Sequence, residues 1–424
     1  MLIGNRKPDC VSIGPDLPDI HTPRERLYIQ EQVGKEYGKK KCSITFTGDI
    51  GFDRYMARRW TDSELLSEGI LDFFKDSDHV VANVEGALYD GEDTQGRGVF
   101  FHTMNPEATC VLQAICSDVW NISNNHIMDA GLEGLVSTRK IAADMNCVTI
   151  GAGVNEKEAS EPVYFEEAGG IGMFGVAYMK ECIPAGKDEP GVFRWDDLDY
   201  ISERIAEVKR NHRWCIIVAH GGEEFADLPN PYTRDRYLKY LELGADVVVA
   251  HHPHVPENYE TFENGKAIFY SLRNFIFDTD YQRVHPYTDM GVLLKLHFTE
   301  DEMTFEAMGT RIIRGEERIK EGLLPGMFTD IRQEEYELLS PLAARVFLEE
   351  ERKKMIYLDP DRFANASQEV WDAYYYSTEP DGYDEGAHMD LSVIVPYTEL
   401  ADKEEWKRSR LTKVVDYLFR VRQG

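Results

Sequence analysis

Leu243-Gly244-Ala245-Asp246-Val247-Val248-Val249-Ala250-His251-His252-Pro253-His254 is the stretch whose reading decides the fold. Arg234–Leu243, just before it, reads as a helix, and Gly244 stands where a helix would close. Asp246–Val249 reads as a β-branched strand. Helix, glycine and strand in succession are part of a βαβ pattern, and three histidines follow the strand end at once. In an α/β sheet the C-terminal strand ends share one edge, where ligands bind. Pro253 restricts its own φ and biases His252 toward extended backbone, so His252 and His254 can reach one metal or two adjacent ones. His251 is either a ligand or a residue that positions one.

Other segments repeat the motif of apolar run followed by polar ligand. They are Ile44-Thr45-Phe46-Thr47-Gly48-Asp49, Asn83-Val84-Glu85 after Val80-Val81, Asn124-Asn125-His126, and Val218-Ala219-His220-Gly221-Gly222 with Glu223 and Glu224 behind. Gly48 allows a sharp turn, and Asp49 and Glu85 are hard oxygen donors. The Asn125 amide oxygen can complete a metal shell, and His126 can orient a phosphate or donate a proton. With the histidine trio, all of these are expected at the same edge of one sheet. Mixed O and N ligation without Cys favours Mn, Fe, Zn, Co or Mg. Two nearby ions, the number expected, could activate a water and clamp a phosphoryl-type oxygen.

The surrounding pattern alternates. Strands are expected at Ser43–Thr47, Val80–Val84, Val119–Ile122, Val148–Ile150 and Trp214–Val218. Helices are expected at Asp62–Lys75 with Asp62 as N-cap, Pro106–Cys116, Leu132–Met145 and Leu198–Lys209. Gly169-Gly170 and Asn264-Gly265 mark hairpins, Val163–Glu167 with Ile171–Val176 and Tyr259–Phe262 with Ala267–Tyr270. Val292–Phe298 and Thr304–Met308 add late strands, so a second sheet with helices outside is expected. Residues 1–42 read as a polar lead-in, partly helical around Arg24–Tyr37. Residues 43–314 form the main domain. Residues 315–424 form a helical extension, with charged helices at Glu334–Lys354 and Lys403–Arg422 around an acidic, Gly- and Tyr-rich stretch at Ser377–Asp390.

Composition bounds the partners. The formal charge is −29, which opposes phosphate backbones and anionic lipid, so neither nucleic acid nor membrane insertion is expected. Seven cysteines form no Cys-x-x-Cys pair and read as free thiols of a reducing compartment. No signal peptide or apolar span is read, and the expectation is a cytoplasmic protein. No phosphate-binding loop, dinucleotide fingerprint or Gly-x-Ser-x-Gly elbow occurs.

At these residues the sequence resembles the bacterial capsule-synthesis proteins of the CapA type, also called poly-γ-glutamate capsule biosynthesis proteins, of the calcineurin-like metallophosphoesterase superfamily. The resemblance runs over about residues 43–280. It is carried by Thr47-Gly48-Asp49, Ala82-Asn83-Val84-Glu85, Ser123-Asn124-Asn125-His126 with Asp129 and Gly131, and Thr149-Ile150-Gly151-Ala152-Gly153. It continues through Val218-Ala219-His220-Gly221-Gly222-Glu223-Glu224-Phe225, Leu243 to His254, and Tyr270-Ser271-Leu272-Arg273-Asn274-Phe275-Ile276-Phe277-Asp278. It implies an α/β fold built as a four-layer α/β/β/α sandwich, with a two-metal site that hydrolyses phosphoesters. By this likeness Asp49, Asn125, His220, His252 and His254 match ligand positions, Glu85 stands where a bridging Asp is usual, and His126 matches the catalytic His. Asp49, Asn125 and His126 are the expected catalytic residues. His251, Glu223, Arg273 and Asn124 are the candidates to meet substrate.

Three positions depart from the pattern. Gly51 stands where a His is usual two residues after the Asp, Ala250 replaces a Gly before the histidines, and Arg273 replaces a Gly. Arg273 either projects a cation toward an anionic substrate or lies at the surface. The implied function is a metal-dependent hydrolase acting on a phosphoester, small molecule or anionic polymer of capsule or poly-γ-glutamate metabolism. The alternative is a polymer-binding assembly factor with altered catalysis, which Gly51 motivates; it would bind through a local pocket holding Arg273 or Arg283. A third reading is a structural module with a docking tail. Oligomeric state is not legible.

Overall fold

The computed structural model describes residues 28–33, 42–93, 101–178, 182–226, 228–263, 265–283, 285, 287–337, 356, 360–367 and 370. The described residues begin with β1 (Tyr28–Val33), β2 (Cys42–Ile50), α1 (Glu68–Lys75), β3 (His79–Val84), β4 (Ala87–Leu88), β5 (Thr103–Met104) and α2 (Thr109–Ala114). It continues through β6 (Val119–Asn121), α3 (Gly131–Asp144), β7 (Val148–Ile150), β8 (Ala152–Gly153), α4 (Glu156–Ala159), β9 (Val163–Phe165), β10 (Ile171–Ala177) and β11 (Gly191–Val192). Next come α5 (Leu198–Asn211), β12 (Trp214–His220), α6 (Pro231–Leu243), β13 (Val247–His251), β14 (Tyr259–Thr261), β15 (Ala267–Phe269) and β16 (Asn274–Ile276). Then follow α7 (Asp280–Arg283), β17 (Met290–Phe298), β18 (Met303–Ile313) and β19 (Arg318–Gly322).

The strands form two large sheets rather than the single edge expected of the ligand segments. One has nine strands, ordered β1-β18-β17-β2-β3-β6-β7, with β16 beside β2 and β19 beside β18. The other has six, ordered β14-β15-β13-β12-β10-β9. In each, a parallel block carries the ligands: β2, β3, β6 and β7 in the first, and β10, β12, β13 and β15 in the second. Both expected hairpins form, as β9–β10 and β14–β15.

Alternation along each strand assigns side chains to layers. Ile216 and Val218 of β12, Val247 and Val249 of β13, and Val81 of β3 join one cluster with Ile44, Phe46 and Leu294, so this cluster holds residues of both sheets. Their neighbours Cys215, Ile217, Val248 and Ala250 pack with Ile201, Ile205 and Val208 of α5 and Tyr237 and Tyr240 of α6. Val80, Ala82 and Val84 pack with Ile70, Phe73 and Phe74 of α1, Leu112 of α2 and Leu135 of α3. Asp197 caps α5 by accepting the Tyr200 N–H (3.1 Å), and Gly244 closes α6 at φ 120°.

Several expectations change. Where helix was read over Arg24–Tyr37, Tyr28–Val33 is a strand paired antiparallel with β18. An open sheet edge satisfies that backbone, and such long-range pairing overrides local propensity. The helix expected at Asp62–Lys75 starts at Glu68, because the backbone of Leu65 and Ser67 bonds to Ile319 of β19 (2.7 and 3.0 Å), while Asp62 accepts the Glu64 N–H (2.9 Å) in the turn before it. Pro106–Cys116 divides into a single tight turn at Pro106–Ala108 and α2. The nine-stranded sheet runs past the expected boundary at 314, since β19 pairs with β18. Most of the helix expected at Glu334–Lys354, and all of Ser377–Asp390 and Lys403–Arg422, lie outside the described residues. Among the described residues, no helix is long and apolar enough to cross a membrane, and six cysteines are free thiols.

Candidate metal centre

The site sits where the C-terminal ends of both parallel blocks meet. The nine-stranded sheet supplies oxygen donors. Asp49 lies at the end of β2, Glu85 immediately follows β3, and Asn125 follows β6. A register shift between Phe46 and Asp49 bends β2 there. Gly48 is required at that bend, because a Cβ on it would lie 1.9 Å from the Arg273 carbonyl oxygen. That same carbonyl accepts the Asp49 N–H at 2.6 Å and so sets the depth of the carboxylate.

The six-stranded sheet supplies imidazoles. His220 ends β12 and His251 ends β13, paired in register, on the face shared with Val218 and Val249. That face meets the other sheet. His252 and His254 follow with φ of 100° and 55°. The expected extended bias of His252 before Pro253 is therefore overridden. Left-handed backbone costs a non-glycine residue of order 1 kcal/mol and persists where the surroundings demand it.

Asp49, Glu85 and His254 offer ligand atoms all within 4.8 Å of one another, and so do Glu224, His252 and His254. Glu85 is the centre of the first set. Its Oε1 lies 3.7 Å from His254 Nε2, 3.8 Å from His220 Nε2 and 4.0 Å from His126 Nε2. Yet neither of its oxygens accepts a hydrogen bond, and the side chain is fully buried. Burial and the neighbouring Asp49 carboxylate push the Glu85 carboxyl well above its usual range. Burial opposes charge on His254, but the Glu85 and Asp49 carboxylates carry it up to about 9. Burial, then the charges of His252 and His251, hold His220 well below the ordinary imidazole value. A fully buried carboxylate without a donor, ringed by imidazoles, is the arrangement a divalent cation satisfies, so the residues fit a metal.

A net of amides aims the donors. Asn83 Nδ2 donates to Asp49 Oδ1 (2.7 Å), Asn121 Nδ2 donates to Asn83 Oδ1 (2.7 Å), and Ser123 Oγ donates to Asn121 Oδ1 (2.7 Å). Asn274 donates through Nδ2 to Gln282 and Thr288 (2.9 Å each), so its Oδ1 accepts from His254 Nδ1 (2.8 Å). His220 Nε2 lies 3.0 Å from Asn125 Oδ1. His126 Nδ1 lies 2.9 Å from Asp129 Oδ2, and its Nε2 lies 3.1 Å from Asn125 Nδ2. The amide therefore donates to Nε2, and the ring proton sits on Nδ1. A second acid–imidazole pair abuts this one: His102 Nδ1 is 2.5 Å from Asp53 Oδ2, and the two imidazole centroids are 4.2 Å apart.

The four candidates for substrate contact fare differently. His251 is buried, with Nε2 2.9 Å from the Thr47 carbonyl oxygen, so it ties the two sheets together. Burial lowers its pKa. The Asn124 amide donates to the Val84 carbonyl (2.7 Å) and accepts the His126 N–H (3.1 Å). Glu223 accepts the Asn230 N–H (3.1 Å) and the Thr233 hydroxyl (2.9 Å), which fastens the start of α6. Arg273 is not at the surface: it is fully buried with φ 65°, and its carbonyl accepts the Asp49 N–H. Arg283, the other cation considered for an anionic pocket, is bound by Asp278 (2.5 Å) and Glu317 (2.9 Å).

Asn121, Asp53 and His102 stand in none of the sequence motifs, and Asn83 and Asn274 stand only within longer ones. Asn83 had a usable signal, since Val81, Asn83 and Glu85 share one face by period-two alternation. His102 had none, being far in sequence from every motif.

Known proteins resemble the chain over the part that holds this site. The family described as bacterial capsule synthesis protein PGA_cap matches residues 43–279. The chain is similar to the PGA biosynthesis protein CapA of Bacillus subtilis, 30% identical over 255 residues, covering 59% of this chain and 67% of that protein. It is similar to the capsule biosynthesis protein CapA of Bacillus anthracis, 29% identical over 281 residues, covering 63% and 66% respectively. It is also similar to a probable polyglutamine synthesis accessory protein of Mycobacterium tuberculosis, 26% identical over 215 residues, covering 48% and 56%. The chain thus spans about two thirds of the length of the two Bacillus proteins. The matched span takes in Asp49, Glu85, Asn125 and His126 together with His220 and the histidine trio, and more than half of the sequence: the chain belongs to the bacterial capsule synthesis protein PGA_cap family.

Proposed function

We propose that the chain is a metal-dependent hydrolase of the calcineurin-like metallophosphoesterase type, acting on a phosphoester or an anionic polymer linked to capsule or poly-γ-glutamate metabolism. The observation that carries this reading is Glu85, a fully buried carboxylate without a hydrogen-bond donor, set among three imidazoles and Asp49. The fold it implies is a four-layer α/β/β/α sandwich, which accords with three separate apolar clusters around two sheets.

Asp49, Glu85, Asn125, His220, His252 and His254 are the residues that would hold the cations, two in number, of Mn, Fe, Zn or Mg type. When bound, such cations supply Lewis-acid polarisation of the scissile group and hydroxide near neutral pH. The remaining work falls to the protein. Asp129 holds the proton of His126 on Nδ1, which keeps Nε2 directed at Glu85 and the site. When Nε2 releases the Asn125 amide it can take up a proton from water and pass it to a leaving oxygen, with Asp129 stabilising the imidazolium between the two steps. Asn83 and Asn274 fix one lone pair of Asp49 and one ring nitrogen of His254, so each presents a single defined atom inward.

Chelator-treated protein is assayed with Mn2+, Zn2+, Fe2+ or Mg2+ on generic phosphoesters. The expected result is cation-dependent turnover that is lost in Asn125→Ala and His252→Ala. No turnover with any cation refutes the hydrolase. The second reading, a polymer-binding assembly factor, is favoured by Gly51 in place of a ligand. Metal-free protein that still binds poly-γ-glutamate would select it.

A further inference from the structure

Position 51 cannot be repaired locally. A Cβ on Gly51 would lie 2.6 Å from the Phe277 ring, and that ring stacks on His254 with centroids 5.2 Å apart and planes 18° from parallel. Phe277 thus occupies the space a side chain at 51 would enter, and closes that approach to His254. The donor for this part of the site has to arrive from elsewhere.

The loop after β12 brings one. Glu224, His252 and His254 offer ligand atoms within 4.8 Å of one another, and both histidines are buried while Glu224 is half-buried. The loop is fastened to the histidine segment, because the Phe225 N–H donates to the Pro253 carbonyl at 2.8 Å. Phe225, His252 and His254 all have φ between 55° and 100°. Three left-handed non-glycine residues in two touching loops mark a conformation held for what it presents. The division of labour within the loop is equally clear: Glu223 is spent on the start of α6, and Glu224 is turned toward the imidazoles.

We propose that Glu224 is a cation ligand, acting with His252 and His254, and that it takes the donor role position 51 does not fill. The assignment rests on the metal-dependent reading above. His254 is common to this donor set and to the one with Asp49 and Glu85, so the two sets adjoin, and its one inward nitrogen, Nε2, serves a single cation. Two imidazoles and one carboxylate suit Mn2+, Fe2+ or Zn2+ better than Ca2+.

The test is calorimetric titration of chelator-treated full-length protein with Mn2+, for wild type, Glu224→Gln and Glu223→Gln. Glu224→Gln is expected to bind one Mn2+ fewer per chain, or to bind at least about tenfold more weakly. Glu223→Gln makes the same charge change one residue away and is expected to keep wild-type stoichiometry and affinity. Co2+ in place of Mn2+ reports ligand number through its visible absorption, which Glu224→Gln alone is expected to alter. Wild-type binding and an unchanged Co2+ spectrum in Glu224→Gln overturn the ligand assignment and leave the hydrolase reading standing. No Mn2+ bound by wild type removes both.

Discussion

Glu85 and Glu260 are both buried carboxylates, and their surroundings are opposites. Glu260, on β14 at the edge of the six-stranded sheet, receives two hydrogen bonds from Arg234 (2.6 and 2.8 Å) and one from the Tyr270 hydroxyl (2.8 Å). Arg234 also binds Gln333 (2.5 Å) and lies 4.4 Å from the Tyr336 ring, so the cluster anchors the chain around residues 333–336 to the sheet. Glu85 has imidazole nitrogens no nearer than 3.7 Å and accepts nothing. A carboxylate buried to hold a fold comes with its donors. One buried to receive a ligand is left without them, and its oxygens stay open to the ligand.

The widest separation between the two regions should appear on replacing each acid's surroundings. Glu85→Gln is expected to lower kcat/KM by at least about 10³-fold, near 4 kcal/mol, through loss of cation binding. The same change should leave the melting of chelator-treated protein within about 1 kcal/mol of wild type, because no hydrogen bond is lost. Unfolding by Glu85→Gln in urea comparable to that of an anchor mutant would break the contrast. Arg234→Met is that anchor mutant: it strands Glu260 and is expected to cost about 3 kcal/mol in urea unfolding, with cation binding retained. Intermediate in size is Asn83→Ala. It removes the amide that aims Asp49, and should weaken Mn2+ binding by about 10- to 100-fold in calorimetry.

Glu306 gives the smallest and most graded test, because it lies between the two extremes. It is buried, with His297 Nε2 at 3.1 Å and Lys295 Nζ at 3.7 Å. Burial pushes its carboxyl up to about 7. An acid whose folded value is raised contributes stability that is complete below the unfolded value and lost as pH climbs through the folded one. Wild type should therefore lose stability between roughly pH 4.5 and 7, by about 1 kcal/mol once the Lys295 ammonium and the contact with His297 are allowed for. Glu306→Gln should flatten that slope, and an unaltered pH profile of the melting temperature would show that Glu306 is as well satisfied as Glu260.

Much of the site could be read before any fold was known, for identifiable reasons. Val247–Val249 before the histidines and Cys215–Val218 before His220 are runs too apolar to be anything but buried strands, and ligands at their ends follow from sheet geometry. What failed was whatever depends on contacts across the fold. Tyr28–Val33 has no strong strand pattern, and pairs because β18 offers an open edge. Asp62 looks like the cap of a helix, but Leu65 and Ser67 bond to Ile319 of β19 and delay the helix to Glu68. Glu223 and Glu224 are chemically identical neighbours, yet one fastens α6 and the other faces His252 and His254. Side-chain direction in a loop is set by long-range partners, which local spacing does not encode.

The order of residues was enough to specify the kinds of donor present and the alternation of strand and helix, because hydrophobic period and residue chemistry are local properties. Tertiary structure alone decided that Asp49, Glu85 and Asn125 come from one sheet and His220, His252 and His254 from another, that Phe277 fills the space beside Gly51, and that Glu85 is left without a hydrogen bond. Those outcomes depend on how two sheets pack face to face, and that packing is a sum over contacts between residues distant in the chain.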